Sequence, residues 1–262
     1  MSIHPIGLHL SSVESAYLIG KCERRPSLVS VNPAECSLLI RVISYNLREN
    51  HAVGEIVDLV ANNALDVLCL QECNSADLPD EVGDLSLADS TKRNRLGLAL
   101  YYRKARFTAV KSGTFALKKS LHDRVMAPAH ERLLGTRLID KETNRELVVA
   151  SFHAAPLTAM NSLRRNQIRA AHNELRLLGE GLPALMVGDY NYPWFKKGLG
   201  EHVQENGYEL TLSETRTYTR YKFFKGHFDF ATSMGLRIDR VETLKQGLSD
   251  HMPILVTADY AS

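Results

Sequence analysis

Four stretches of this sequence end an apolar run on residues able to hold a cation or move a proton: Ser44-Tyr45-Asn46-Leu47, Leu70-Gln71-Glu72-Cys73, Val187-Gly188-Asp189-Tyr190-Asn191 and Leu248-Ser249-Asp250-His251-Met252-Pro253. A fifth, Ser151-Phe152-His153, ends on an imidazole. Strand ends are where sheets commonly present ligand-binding groups, on loops held by a rigid scaffold. The expectation is that these ends meet in one cleft.

Each motif also has an ordinary reading. Glu72 follows the apolar run Val67-Leu68-Cys69-Leu70, so its carboxylate emerges at the edge of a core, where it suits a hard cation such as magnesium. A solvated glutamate after a strand is the commoner case for an isolated residue. Asp189 and Asn191 are two apart, and in extended backbone such side chains point the same way. One could orient water while the other holds a phosphate oxygen; a plain turn would use the same residue types. Asp250-His251 is the stronger signal, because an imidazole moves protons near neutral pH, and Asp229 in His227-Phe228-Asp229-Phe230 could accept its other N–H and fix its tautomer. His4, His9, His51, His122, His130, His172 and His202 are read as structural.

The elements that must position these groups follow from periodicity. Leu38 to Tyr45 reads as a buried strand, Ala52 to Asn63 as an amphipathic helix and Leu65 to Leu70 as a second strand. Strands follow at Leu96 to Tyr102, Arg106 to Lys111, Leu133 to Ile139 and Glu146 to Phe152, separated by turns that favour hairpins. Leu163, Ile168, Ala171, Leu175 and Leu178 predict a helix from Ala159 to Leu178, stopped by Gly179. Strands are predicted again at Ala184 to Val187, Glu214 to Thr219, Phe228 to Thr232, Ile238 to Thr243 and Pro253 to Thr257. Many strands, few helices and no repeat suggest two packed sheets with helices outside them. Residues 1 to 37 read as an extension, with strands or an arm over the core as alternatives; 38 to 262 reads as one catalytic domain.

Bulk properties exclude several classes. The chain is 44% hydrophobic and 24% charged, the composition of a folded protein rather than a disordered or fibrous one. A formal charge of +2 leaves polyanion binding to local basic clusters. No apolar run approaches the ~18–20 residues of a membrane span, and the sequence reads as carrying no signal peptide, so a cytoplasmic monomer without a membrane anchor is expected. Cys22, Cys36, Cys69 and Cys73 match neither a disulfide framework nor a zinc site, and reduced thiols are expected.

Taken in order, Ser-Tyr-Asn-Leu at 44 to 47, Leu-Gln-Glu at 70 to 72, Ser-Phe-His at 151 to 153, Gly-Asp-Tyr-Asn at 188 to 191, Phe-Asp-Phe at 228 to 230 and Ser-Asp-His-Met-Pro at 249 to 253 resemble the endonuclease/exonuclease/phosphatase superfamily, from about residue 39 to 258. That family includes pancreatic-type deoxyribonucleases, apurinic endonucleases, sphingomyelinases and inositol-polyphosphate 5-phosphatases. The resemblance implies a four-layered α/β sandwich of two central, mostly antiparallel sheets flanked by helices. It implies a divalent metal, Mg2+ with Mn2+ as substitute, held by Glu72 with help from Asn46 and Asp250. Asp189 would orient or deprotonate water, Asn191 would bind the scissile phosphate, and His251, oriented by Asp229, would serve as base or phosphate ligand. His153 would donate to the developing oxyanion. Arg132 stands where family members often carry a phosphate-contacting arginine. Tyr190, and Ala154-Ala155-Pro156 after His153, depart from the family's usual residues without removing a functional group.

For the substrate, Arg216, Arg220, Lys222 and Lys225 alternate with Tyr218, Tyr221, Phe223 and Phe224, and Trp194, Phe195, Lys196 and Lys197 repeat the mixture after Asn191. Lys92, Arg93 and Arg95 form a third basic cluster. Cations neutralise phosphates and aromatic faces stack on bases, so a nuclease acting on DNA is expected, with Arg132, Trp194, Arg220, Tyr221, Lys222 and Phe223 as substrate contacts. The alternatives are a phosphatase or phospholipase-type phosphodiesterase acting on inositol phosphates or sphingomyelin-like lipids, and a catalytically silent binding protein of the same fold.

Overall fold

Apolar residues on both faces of a strand require a layer on each side, and the central strands of this protein carry them. In the computed structural model, which describes residues 39–120, 124, 130–192, 196–219 and 226–261, the chain forms a seven-stranded and a six-stranded sheet packed face to face. The first half runs β1 (Ile40–Asn46), a 3-10 turn (Val53–Glu55), α1 (Ile56–Asn63), β2 (Val67–Cys73), β3 (Glu81–Val82), β4 (Leu85–Ser90), β5 (Gly97–Arg103) and β6 (Phe107–Phe115). Then come β7 (Leu133–Asp140), β8 (Arg145–His153), α2 (Asn161–Leu178), β9 (Ala184–Asp189), α3 (Lys196–Glu205), β10 (Glu209–Leu212), β11 (Asp229–Met234), β12 (Leu236–Thr243) and β13 (Ile254–Tyr260). The sheet orders are β12-β13-β1-β2-β5-β4-β3 and β10-β11-β9-β8-β7-β6.

Successive residues alternate between layers, as a strand's two-residue period requires. Val42, Val67, Cys69, Leu147, Val149, Leu185 and Val187 fill the space between the sheets. Their neighbours Ile43, Leu68 and Leu70 pack outward beside Ile56 and Val60 of α1. Val148, Ala150 and Met186 pack outward on the other sheet, beside Ile168, Ala171 and Leu175 of α2 and Leu199 and Val203 of α3. The four layers expected from the sequence are therefore present.

Each sheet is antiparallel except for one central pair, β1 with β2 and β8 with β9. A parallel pair cannot be closed by a hairpin and needs a crossover, supplied here by α1 and α2 respectively. The carboxyl ends of both parallel pairs, Asn46, Cys73, His153 and Asp189, point to the same edge of the sandwich. At the opposite edge a buried ion cluster ties the layers together: Arg106 lies 3.0 Å from both Asp66 and Asp140.

The structure departs from the expected elements in places. Glu214 to Thr219 is not a strand; its one ladder contact is an isolated bridge between Tyr218 and His251. β3, β4, β10 and α3 were not expected: β3 and β10 are only two and four residues long, and the alternation of Leu85 and Leu87 in β4 and of Leu210 and Leu212 in β10 spans too few residues to stand out. The 1 to 37 extension lies outside the described residues. No helix among the described residues is long and apolar enough to cross a membrane. Cys69 and Cys73 are buried free thiols whose pKa values burial pushes up, so both stay protonated.

Candidate active site

Along the inner faces of four strands the residues change from apolar to polar toward one edge. β1 reads Ile40, Val42, Ser44, Asn46; β2 reads Val67, Cys69, Gln71; β8 reads Leu147, Val149, Ser151, His153; β9 reads Leu185, Val187, Asp189. The first polar tier joins the two sheets: Gln71 Nε2 donates to Ser151 Oγ at 2.9 Å and to Ser44 Oγ at 3.2 Å, and Ser151 Oγ donates to the Leu70 carbonyl at 3.0 Å. Above it the second tier meets at Asp189. Asn46 Nδ2 donates to Asp189 Oδ2 at 3.1 Å and also approaches Glu72 Oε1 at 3.3 Å, bridging one sheet to the other.

Four side-chain nitrogens converge on Asp189 Oδ2: Asn46 Nδ2 and Asn191 Nδ2 at 3.1 Å, His153 Nε2 at 3.6 Å and His251 Nε2 at 3.8 Å. Asp189 Oδ1 accepts the Asn191 N–H at 2.9 Å, which holds Asn191 at a positive φ of 48°. Asn tolerates that conformation better than most residues. Gly188, at φ 153°, lets β9 pass so close to β8 that a Cβ there would lie 1.9 Å from the Phe152 carbonyl oxygen.

Glu72 reaches the site by an irregularity. The β2–β5 register slips between Gln71 and Cys73, and Glu72 takes φ 54°, a rare conformation for a non-glycine residue. Regular pleating would turn it away from the inner face that Gln71 occupies; the bulge brings its carboxylate 3.7 Å from His153 Nε2. Arg48, Glu49 and Asn50 are also left-handed, and this turn delivers the Glu49 N–H to Glu72 Oε2 at 2.8 Å and the Arg48 N–H to Asn46 Oδ1 at 2.9 Å. Three successive strained residues beside polar groups mark the turn as built for the site.

His251 Nδ1 lies 2.9 Å from Asp229 Oδ2 and its ring meets Tyr218 edge-on, with centroids 4.9 Å apart. Burial opposes its charge, but the Asp229 and Asp189 carboxylates outweigh burial and raise its pKa to about 10. For Asp189 burial dominates and raises the pKa, with Asp229 adding to the rise while His251 and His153 oppose it. His251 keeps the proton, and Asp229, in direct contact at 2.9 Å, fixes the ring.

The donor set suits a hard cation. Glu72, Asp189, Asp229 and Asp250 crowd one end of the sandwich, and the Glu72 side chain, 24% exposed, is more open than those of Asp189 and Asp229. Among the described residues, the His, Asp and Glu atoms close enough together to hold an ion are those of Asp189, Asp229 and His251, all within 4.8 Å of one another. Asp250 faces the Arg48 guanidinium at 3.9 Å, and its carbonyl accepts the Thr219 N–H. Ser249 Oγ donates to the Asn46 carbonyl at 2.7 Å and accepts the His251 N–H, so the 249–251 loop is locked to β1.

Asn46, Glu72, His153, Asp189, Asn191, Asp229 and His251 are thus brought together by a chain of short contacts. Arg132 has a different surrounding from the one expected. It is buried, and Nη1 donates to the carbonyls of His153 and Ala154 at 3.2 and 3.0 Å, which places it under the His153 loop. Trp194, Arg220, Tyr221, Lys222 and Phe223 lie outside the described residues. Sequence reasoning missed Thr217, whose hydroxyl accepts the N–H groups of Phe228 and Asp229 at 3.1 Å each, and gave no role to Ser249 or Gln71. Gln71 had a legible signal, a polar residue ending the inner-face series Val67, Cys69; Thr217 had none.

The model of the Endonuclease/Exonuclease/phosphatase family matches residues 43–255. The chain belongs to the endonuclease/exonuclease/phosphatase family. Solved structures agree on the fold. A mannosyl-6-phosphatase of Bacteroides thetaiotaomicron superposes with TM-score 0.67 at 18% identity, covering 84% of this chain and 100% of its own. The catalytic domain of human nocturnin, with a bound sulfate anion, gives 0.64 at 16% identity over 85% and 95%. D. rerio TDP2, complexed with single-strand DNA product, gives 0.67 at 14% over 84% and 99%. No curated protein matches the sequence significantly. Members of the endonuclease/exonuclease/phosphatase family are phosphoester hydrolases and generally depend on a divalent metal, and the carboxylate-rich end of this sandwich is consistent with that chemistry.

Proposed function

We propose that this protein is a Mg2+-dependent phosphodiesterase that cleaves nucleic acid, DNA in the first instance. The observation that carries the reading is the convergence of Asn46, Asn191, His153 and His251 on one oxygen of Asp189. Glu72, with Asn46 and Asp250, would hold the cation, which supplies charge neutralisation at the phosphate. Asp189 orients the attacking water and accepts its proton as the new P–O bond forms. As the water oxygen bonds to phosphorus and the leaving oxygen departs to take a proton from solvent, Asn191 and His153 donate to the non-bridging oxygens, whose negative charge grows with the attack. His251, kept protonated and aligned by Asp229, adds a third donor to the same charge. These donors surround Asp189 Oδ2, the oxygen that would hold the water.

The preference for nucleic acid rests on the basic and aromatic residues between 216 and 225 and on where that stretch is tethered. Thr219 N–H donates to the Asp250 carbonyl, and the Gly226 carbonyl accepts the Thr217 N–H, so both described flanks are bonded at or beside the site.

The test is turnover of supercoiled plasmid, abasic duplex, single-stranded DNA, RNA, sphingomyelin and inositol phosphates, each with Mg2+, Mn2+ or chelator. Cleavage of DNA that chelator abolishes is expected, and His251→Ala and Asp189→Asn should each lower it at least about a hundredfold with circular dichroism unchanged. Turnover of only the lipid or inositol substrates refutes the nuclease reading, and full activity in chelator refutes the mechanism.

A further inference from the structure

The turn between β4 and β5 carries Lys92, Arg93 and Arg95, all exposed, and its backbone is held with unusual completeness. Glu131 Oε2 accepts the N–H groups of both Lys92 and Arg93 at 3.0 Å, while Oε1 accepts the Thr114 hydroxyl at 2.7 Å. Asn94 Oδ1 accepts the N–H groups of His130 and Glu131 at 2.7 and 3.0 Å, and its Nδ2 donates to the Glu131 carbonyl at 2.6 Å. Against the opposing effect of burial, these donors hold the Glu131 carboxyl below its ordinary range, so it stays ionised. That carboxylate fixes backbone, and the Arg93 guanidinium adds a favourable charge interaction with it. Among the described residues neither Arg93 nor Arg95 forms an ion pair; Lys92 has Asp89 at 3.4 Å.

The turn stands on the site-bearing edge. Gly97, which opens β5, pairs with Cys73 immediately beyond Glu72, and Glu131 adjoins Arg132, whose guanidinium holds the His153 carbonyl. With strands ~5 Å apart, the turn is on the order of 10–15 Å from Glu72. That span corresponds to roughly three or four phosphates of a stacked strand at ~3.4 Å each. A phosphomonoester has no charge to place there, whereas a polynucleotide has one per residue.

We propose that the Lys92–Arg95 turn is a preformed subsite for backbone phosphates of a nucleic-acid strand, several nucleotides to one side of the bond being cut. The inference rests on the reading of the site as a phosphodiesterase acting on nucleic acid, and gives it a requirement for length. A turn whose backbone is already fixed loses little freedom on binding, so its cations contribute affinity that scattered lysines do not.

The experiment uses the full chain in chelator, which stops turnover, and 5′-fluorescein-labelled oligothymidylates of 3, 6 and 12 nucleotides read by fluorescence anisotropy. Affinity should rise with length, and Arg93→Glu/Arg95→Glu should weaken the 12-mer roughly tenfold or more at 50 mM salt while leaving the 3-mer little changed. The slope of log K against log salt should fall by about 1.4, the ~0.7 per contact expected for two lost contacts on single strands. Both side chains are exposed, and an unchanged thermal unfolding curve verifies the fold. Wild-type affinity and salt slope in the variant, or no gain with length in the wild type, overturns the proposal. If the 12-mer binds as expected yet is not cut in Mg2+ or Mn2+ while a phosphomonoester is hydrolysed, the nuclease reading fails and the phosphate subsite stands.

Discussion

Replacing Gly188 by alanine tests whether the approach of β8 to β9 sets the geometry of the site. The added Cβ would lie 1.9 Å from the Phe152 carbonyl oxygen and within 2.9 Å of two further Phe152 backbone atoms, where real contacts essentially never fall below 3.0 Å. Backbone cannot rotate aside as a side chain can, so the strands must part by about 1 Å, or Gly188 must leave its φ of 153°. Overpacking of this kind costs about 1–3 kcal/mol of stability. The larger effect should be on turnover. Phe152 precedes His153 and Gly188 precedes Asp189, and those two residues pair across the strands. A misplacement of ~1 Å between reacting groups is worth about a hundredfold in rate. The assay is kcat on the best phosphoester substrate, corrected for the folded fraction measured by thermal unfolding in the same buffer. Gly198→Ala is the control: Gly198 lies in α3 with nothing within 4 Å of its added Cβ, and the change should leave kcat alone and raise stability by up to about 1 kcal/mol. If Gly188→Ala keeps kcat within about twofold of the wild type, the close strand approach does not govern the alignment of His153 with Asp189.

His172 is buried between α2 and the six-stranded sheet, stacked on Tyr208 at 3.7 Å, and burial first, then Arg176 and His202, push its pKa down to about 3. The unfolded chain takes up this proton near pH 6.5 while the folded protein does not, so stability is intact above pH 6.5 and declines as pH falls toward 3. From pH 7.5 to 5 the loss from this residue is about 2 kcal/mol, and His172→Gln should flatten the stability profile by that amount in urea titrations; identical profiles would exclude His172 as the cause. Arg106→Met should lower stability by about 3–5 kcal/mol, because Asp66 and Asp140 would be left buried without their shared cation. Its cluster lies at the edge remote from Asp189, so kcat of the folded variant should match wild type; a large drop would tie that edge to the chemistry.

Much of the architecture could be read from periodicity. Val42/Ile43, Val67/Leu68 and Val149/Ala150 are apolar at both members of the alternation, which already requires a layer on each face of the strand. The helix from Asn161 to Leu178 announces itself through Ile168, Ala171, Leu175 and Leu178, and Gly179 ends it, its N–H bonded to the Leu175 carbonyl. The stretch from Glu214 to Thr219 misled because Thr217 and Tyr218 have the residue types of a strand. Both serve the site instead, one holding the Phe228 and Asp229 amides and the other packing on His251.

What the sequence determined by itself was the inventory: which side chains stand at strand ends, in what order, and with what chemistry. Composition and a two-residue period act locally, so a short window contains them. Only the tertiary structure decided which groups share a volume, because Asn46 meets Asp189 across 143 residues once two sheets have packed. It also decided the orientation of Glu72 and the occupation of Arg132. A bulge at φ 54° and a guanidinium turned onto the carbonyls of His153 and Ala154 depend on long-range packing that overrides local preference.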